Sequence, residues 1–441
     1  MPTDLLAART QMAVSLGFHI IFAEIGVAMP LLMVLAEWRW RRTGDPVYRE
    51  LARRWARGTA ILFAIGAVSG TVLSFELGLL WPGFMRFAGA IIGMPFSLEG
   101  FAFFTEAIFL GIYLYGWERI GPRAHLAAGI VVAVSGAASA AFVVLVNAWM
   151  NAPVGFRTAA GGGLVDIDPI AGMQSPAAFQ QALHMLLAAY AATGMAVAGI
   201  HALLLLKGRA PGFHRRALAI ALIVGAPAAI LQPLSGDLSA RVVAITQPIK
   251  LAALEGQWNT EHSAPLRIGG LPDAAREETR WAIEIPYGLS LLAFHDPQAE
   301  VRGLRSVTRE NRPPVAVVHL AFQTMVGLGT MLAGLALVAA LLVWRKRDLA
   351  NTRWFLAALA VATPFGFIAT EAGWIVTEVG RQPWVVQGLL RTSDAVTPMP
   401  GLFVPMLFFT MLYAVLAFVV VALIATMVRE TDGLLAHEAQ P

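Results

Sequence analysis

The stretch VAVVHLAFQTMVGLGTMLAGLALVAALLVWRKR, residues 315–347, decides the fold class. From Val315 to Trp344 it contains no Asp, Glu, Lys or Arg, and Arg345, Lys346 and Arg347 then stop the apolar run. A helix that crosses a bilayer needs about 20 consecutive apolar residues, and its cytoplasmic border collects Lys and Arg. Eight further stretches pass the same test in both directions from this one. The nine spans are expected near 12–37, 57–80, 97–118, 124–150, 180–206, 216–236, 314–344, 353–377 and 401–428. The first is too long for a signal peptide and lacks a small-residue cleavage site, so it is read as a retained helix.

Composition points the same way. The 441 residues are 57% hydrophobic and only 14% charged, with a mean hydropathy of +0.66. A soluble domain carries about 25% charged residues and cannot hide this much apolar surface. The expected fold class is therefore an all-α integral membrane protein of about nine transmembrane helices, a single membrane domain over residues 1–441. The absence of cysteine excludes disulfide scaffolds, thiolate zinc sites, iron–sulfur clusters and CxxCH haem attachment. A net charge of +4 does not imply nucleic acid, because the basic residues sit in short loops between apolar runs.

Those loops set the orientation. Seven arginines lie between residues 39 and 57, and Lys207, Arg209, Arg215 and Arg216 separate spans five and six. Alternate loops are poorer in Lys and Arg, with only Arg86 between spans two and three. The positive-inside rule then places the N-terminus outside and the C-terminus in the cytoplasm. The one long hydrophilic segment, 237–312, falls outside; a loop of that length between helices is either functional or disordered.

Ionisable residues inside spans are costly unless paired, ligating or hydrated. Here they are His19, Glu24, Glu76, Glu99, Glu106, His184, His319, Glu371 and Glu378. On this topology His19, Glu99, His184, His319 and Glu378 lie towards the outer ends of their helices. His19 and His184 suit iron ligation in a helical bundle, or equally a hydrogen bond to a neighbouring helix. Met325 alone reads as core filler or as a thioether partner to a histidine. Glu99 and Glu106 are seven apart and share a helix face, as do Glu371, Trp374 and Glu378. Two carboxylates on one buried face suit proton transfer, or hydrogen bonding to polar groups of neighbouring helices. In the long loop, Lys250 and Glu255 of TQPIKLAALEGQWN offer a donor and an acid–base group for a quinol, or else an ordinary charge pair on a solvated helix.

Taken together these segments resemble subunit I of the cytochrome bd-type quinol oxidases across nearly the whole chain. The motifs are GFH at 17–19, EGFAFFTEA at 99–107, VNAWMNAPVG at 146–155, QPIKLAALEGQW at 247–258, MVGLG at 325–329 and EAGWIVTEVGRQPW at 371–384, with the helix around His184. The resemblance implies quinol oxidation at the outer face of a bacterial cytoplasmic membrane, coupled to reduction of dioxygen to water with cytoplasmic protons. It implies a low-spin haem b held by His184 and Met325, a high-spin haem b held by Glu378 and a haem d held by His19. A haem b could stand in place of haem d, since His19 suits either macrocycle. Lys250 and Glu255 match the family's quinol-loop residues. Glu99, Glu106 and Ser139 match its proton path, Trp374 an electron relay, and Arg381 a partner for haem propionates. The implied partners are a homologous subunit II and a small single-helix subunit.

Two positions depart from the family pattern. Gln323 stands where an arginine often precedes the ligand methionine, which should lower the potential of the low-spin haem. Ala107 replaces a serine found in some members, so the proton path would use water there. The outer loop resembles the short version. Two other classes compete. A di-haem cytochrome b needs paired histidines about 13 or 14 apart on a helix, whereas His184 and His201 are 17 apart and off-face. A transporter built on the buried carboxylates would be expected to show an internal repeat, and none is visible.

Overall fold

The computed structural model describes residues 2–438; residue 1 and residues 439–441 of the 1–441 domain lie outside the described residues. The helices in chain order are α1 (Pro2–Thr43), α2 (Pro46–Leu80), α3 (Pro82–Tyr115), α4 (Pro122–Asn151), α5 (Pro169–Met173), α6 (Ala178–Leu206) and α7 (Pro211–Thr246). They continue with α8 (Pro248–Glu255), α9 (Gly288–Phe294), α10 (Val315–Trp344), α11 (Arg353–Val361), α12 (Phe365–Val379), α13 (Thr392–Ala395) and α14 (Phe403–Glu438). Among the described residues, nine stretches are helical, long and apolar enough to cross a membrane, with α11 and α12 together forming the eighth. Short antiparallel hairpins decorate one end of this bundle.

Local chemistry explains where the helices begin. Proline occupies the first turn of α2, α3, α4, α7 and α8, where its missing N–H costs nothing and its fixed φ favours the helix. At α2 the Asp45 side chain also accepts a hydrogen bond from the Val47 N–H at 3.0 Å. Connections gather at two opposite ends. At the arginine end, Arg216 reaches Asp45 at 2.7 Å, Arg215 reaches Asp348 at 3.0 Å and Arg49 reaches Glu118 at 3.3 Å. At the loop end, Asp4 accepts from the Gly401 and Leu402 N–H groups at 2.9 and 3.0 Å, and the Gln387 N–H bonds to the Met150 carbonyl at 2.9 Å.

Small residues let the central helices touch. A Cβ on Gly194 of α6 would lie 2.6 Å from the Gly225 Cα of α7, the close approach that packs helices in lipid, where apolar burial gives little drive. Around it, Met195, Leu218, Leu222, Leu332, Phe355 and Leu359 fill the core shared by α6, α7, α10 and α11.

Three expectations from the sequence need correction. Span seven's partner, the eighth span, is not continuous: residues 362–364 break it between α11 and α12, because Pro364 has no N–H and disfavours helix at the residue before it. The loop starts later than 237, because α7 runs on to Thr246. Glu99 sits at the middle of α3 and His19 well inside α1, rather than towards helix ends.

Candidate functional site

His19 of α1 faces α2. Its Nδ1 lies 2.9 Å from the Ser69 hydroxyl, whose single proton goes to the Ile65 or Gly66 carbonyl at 3.0 or 3.1 Å. The hydroxyl oxygen must therefore accept from Nδ1–H, which leaves the lone pair on Nε2. Gly70 clears the ring: a Cβ there would lie 3.0 Å from Cε1.

His184 of α6 repeats the device. Its Nδ1 is 2.8 Å from the Ser235 hydroxyl of α7, which itself donates to the Gln232 carbonyl at 2.8 Å. Again Nε2 keeps the lone pair, here met by the Gln232 amide at 3.1 Å. A histidine oriented through Nδ1 with Nε2 presented is the arrangement a metal ligand requires. Met325 of α10 faces α12, where Gly373 leaves room for it; a Cβ at that position would be 3.0 Å from Sδ.

Glu378, at the end of α12, joins a longer polar run. One carboxylate oxygen accepts from the Asn147 amide and the other from Arg381 at 2.6 Å. Asn151, one turn after Asn147 on α4, donates to the Asn147 side-chain oxygen at 2.9 Å. The Asn151 side-chain oxygen in turn accepts from Lys250 Nζ at 2.8 Å and from the Gln247 amide at 2.9 Å. Lys250 and Gln247 on the loop are thus wired to Glu378 through two asparagines. Arg381 is 2% exposed, and its Nε and Nη1 have no hydrogen-bond partner among the described residues. A buried guanidinium with spare donors fits an anionic group such as a haem propionate.

Lys250 and Glu255 are not a pair. Five residues on a helix turn by about 140°, and the two side chains leave α8 in different directions. Nor is α8 a solvated helix, since Lys250 is 5% and Glu255 3% exposed. Burial, reinforced by nearby Arg381 and opposed by Glu378, brings the Lys250 ammonium down to about 7. Burial pushes the Glu255 carboxyl up to about 7 against the pull of the Arg267 backbone and guanidinium. Two groups suited to exchanging protons near neutrality therefore sit on one short helix at the loop end.

The carboxylates of α3 both face α4. Glu99 accepts from the Ser139 hydroxyl at 3.3 Å, and Glu106 is buried against Gly136, whose Cβ position lies 3.0 Å from Oε1. Trp374 lies half-buried on the α12 stripe between Glu371 and Glu378. Glu24 of α1, a residue with no role in the sequence reading, is buried near Thr370 and Glu371 of α12.

Sequence reasoning missed the supporting residues Ser69, Gln232, Ser235, Asn147, Asn151 and Gln247. Asn147 and Asn151 left a usable signal, two amides four apart in the apolar run VNAWMN. The serines left none, because their partners lie 50 and 51 residues away in the chain.

The family model for cytochrome bd terminal oxidase subunit I matches residues 7–432. A Bacillus subtilis protein provisionally named cytochrome bd menaquinol oxidase subunit I is 40% identical over 401 residues, covering 89% of each chain. The cytochrome bd ubiquinol oxidase subunit 1 of the same organism is 31% identical over 407 residues, 90% of this chain and 86% of its own. The structure of bd oxidase from Geobacillus thermodenitrificans superposes with a TM-score of 0.91 at 40% identity, over 97% of this chain and 98% of that one.

Proposed function

The chain belongs to the cytochrome bd terminal oxidase subunit I family, and from that premise we propose that it takes electrons from a membrane quinol beside Lys250 and Glu255 for the reduction of dioxygen to water. The observation that carries this reading is the hydrogen-bonded run from Lys250 through Asn151 and Asn147 to Glu378 and Arg381. It joins a buried loop-end acid–base helix to a carboxylate and guanidinium suited to a haem.

The donor set fits haem. His184 and Met325 would hold a low-spin haem b, Glu378 a high-spin haem b, and His19 a haem d or a haem b in its place, with Arg381 against propionates. Bound haem supplies one-electron storage and the iron at which dioxygen is reduced. The chain's own residues do the rest. Glu255 accepts a proton from the quinol hydroxyl, for which a carboxyl poised near 7 is well matched. Lys250, held by Asn151, donates to the opposite ring oxygen. Trp374, half-buried between Glu371 and Glu378 on α12, would serve as an aromatic electron relay. Glu106 and Glu99, with Ser139, hand protons from the arginine end into the bundle along the face α3 shares with α4.

The orientation that puts the arginine end in the cytoplasm makes the enzyme electrogenic. Quinol protons leave on the outer side while protons for water enter from the inner side. The protein would reside as a multi-pass chain in the bacterial cytoplasmic membrane, paired with a subunit II and with a small single-helix subunit. The test is ligand by ligand: His184→Ala or Met325→Leu should abolish the low-spin haem signal and leave the oxygen-site haem in place. Loss of the oxygen-site signal alone would overturn the assignment.

A further inference from the structure

His319 and Gln323 sit one turn apart on α10, and neither has a part in the reading above. His319 is 0% exposed. Its Nδ1 lies 2.7 Å from the Leu254 carbonyl and its Nε2 3.0 Å from the Gly269 carbonyl. Gln323 completes the contact: its side-chain oxygen accepts from the Gly269 N–H at 3.0 Å, and its amide donates to the Arg267 carbonyl at 3.1 Å. Two side chains of one helix therefore meet four backbone groups of the long loop.

The choice of backbone groups is informative. Leu254 immediately precedes Glu255 and belongs to the last turn of α8, where helical carbonyls have no partner within the helix. Arg267 is the residue whose backbone and guanidinium act on the Glu255 carboxylate, and its own guanidinium is fixed by Gln257 and by Glu284 at 2.9 Å. Gly269 has a φ of +67° and marks the turn between Leu266–Ile268, which pairs with Ile283–Ile285, and Leu271–Asp273, which pairs with Glu278–Arg280. The contacts from α10 thus bracket both groups that fix where the Glu255 carboxylate points. Carbonyl oxygens only accept, so the contact from His319 to the loop backbone runs from a ring N–H.

We propose that His319 and Gln323 are positioning residues for quinol oxidation, a clamp through which α10 holds the Glu255–Arg267 pair in the geometry that receives the quinol. The clamp ties the loop to the helix that carries Met325, so that the quinol site and the low-spin haem site share one rigid support. It also gives Gln323 a purpose of its own: a neutral amide both donates and accepts, and an arginine at that position could not accept from the Gly269 N–H. The inference rests on the reading of Glu255 as the group that meets the quinol.

The experiment is steady-state quinol oxidation by the assembled oxidase, with turnover expressed per haem, for His319→Phe, Gln323→Leu and Glu255→Gln. His319→Phe should raise the quinol KM about tenfold while kcat per haem stays within about twofold, the loss expected of one positioning hydrogen bond. Gln323→Leu, at a half-buried position, should give a smaller rise in the same direction, and it decides the matter if the His319 variant does not assemble. The reduced-minus-oxidised haem spectrum should be unchanged in both. A merely structural role would lower haem content and turnover at constant KM, and that result overturns the clamp. Normal turnover in Glu255→Gln would instead overturn the reading on which the clamp rests.

Discussion

Replacing Glu255 by glutamine tests the chemistry at its most exposed joint. Burial raises the carboxyl from 4.5 to about 7, with Arg267 opposing the shift. As a proton acceptor it must be ionised, so the active fraction rises from about 9% at pH 6 to about 91% at pH 8, and kcat/KM for quinol should rise about tenfold across that interval. In Glu255→Gln the base is gone: turnover should fall by about 10² to 10⁴, and the rise through pH 7 should disappear. The same shift acts on stability. A raised pKa favours the folded state while the group is protonated; that contribution is full below 4.5 and is lost as pH rises through about 7. The difference of about 2.5 units corresponds to about 3 kcal/mol. The glutamine variant should therefore resist unfolding better than the parent at pH 8 and lose that advantage at pH 4. The assays are quinol-driven oxygen uptake from pH 6 to 8 and thermal unfolding of the detergent-solubilised complex at both extremes. A flat pH profile in the parent, or unimpaired turnover in the variant, would refute the reasoning.

Other consequences follow from the same contacts. Asn151→Leu keeps the volume but leaves the Lys250 ammonium buried without its acceptor, while the Gln247 amide keeps the Asn151 backbone carbonyl, a cost of about 1–3 kcal/mol; α8 should then exchange its amide hydrogens faster, and the band of a haem held by Glu378 should shift. Ser235→Ala removes the acceptor that fixes His184 Nδ1–H at 2.8 Å, so the low-spin haem should bind about 10- to 100-fold more weakly, read by titration of the haem-depleted protein. Three arginines, Arg312, Arg305 and Arg309, hold the Glu277 carboxyl down to about 2. Its contribution to loop order should be full above pH 4.5 and be lost as pH falls from there through about 2, whereas Glu277→Gln should open residues 303–312 to proteolysis at neutral pH.

The fold was legible because hydropathy alone separates lipid-facing helices from their connections, and the runs were unambiguous. The boundaries were less so. Proline marks a soluble helix end, yet Pro227 and Pro233 lie inside α7, which continues to Thr246; neighbouring helices and the absence of competing water make this tolerable. The converse error occurred at Pro364, where an apolar run conceals a real break between α11 and α12. At the site, the ionisable residues announced themselves by their cost in lipid. Asn147 and Asn151 carry no charge and barely alter hydropathy, so the wiring between Lys250 and Glu378 stayed hidden. The divergence of Lys250 and Glu255 was readable in principle, since five residues never share a helix face. The second partners of His19 and His184 are serines on neighbouring helices, and only the packing of α1 on α2 and α6 on α7 brings them together.

The most direct test of the central claim is a dithionite-reduced minus oxidised absorption spectrum of the chain, purified with its subunit II and quantified for haem. The account predicts haem b bands together with a far-red chlorin band, the former reduced by half or more in His184→Ala; haem b bands alone would place haem b on His19. A folded complex that takes up no haem would contradict the account, and would return the buried carboxylates to a transporter.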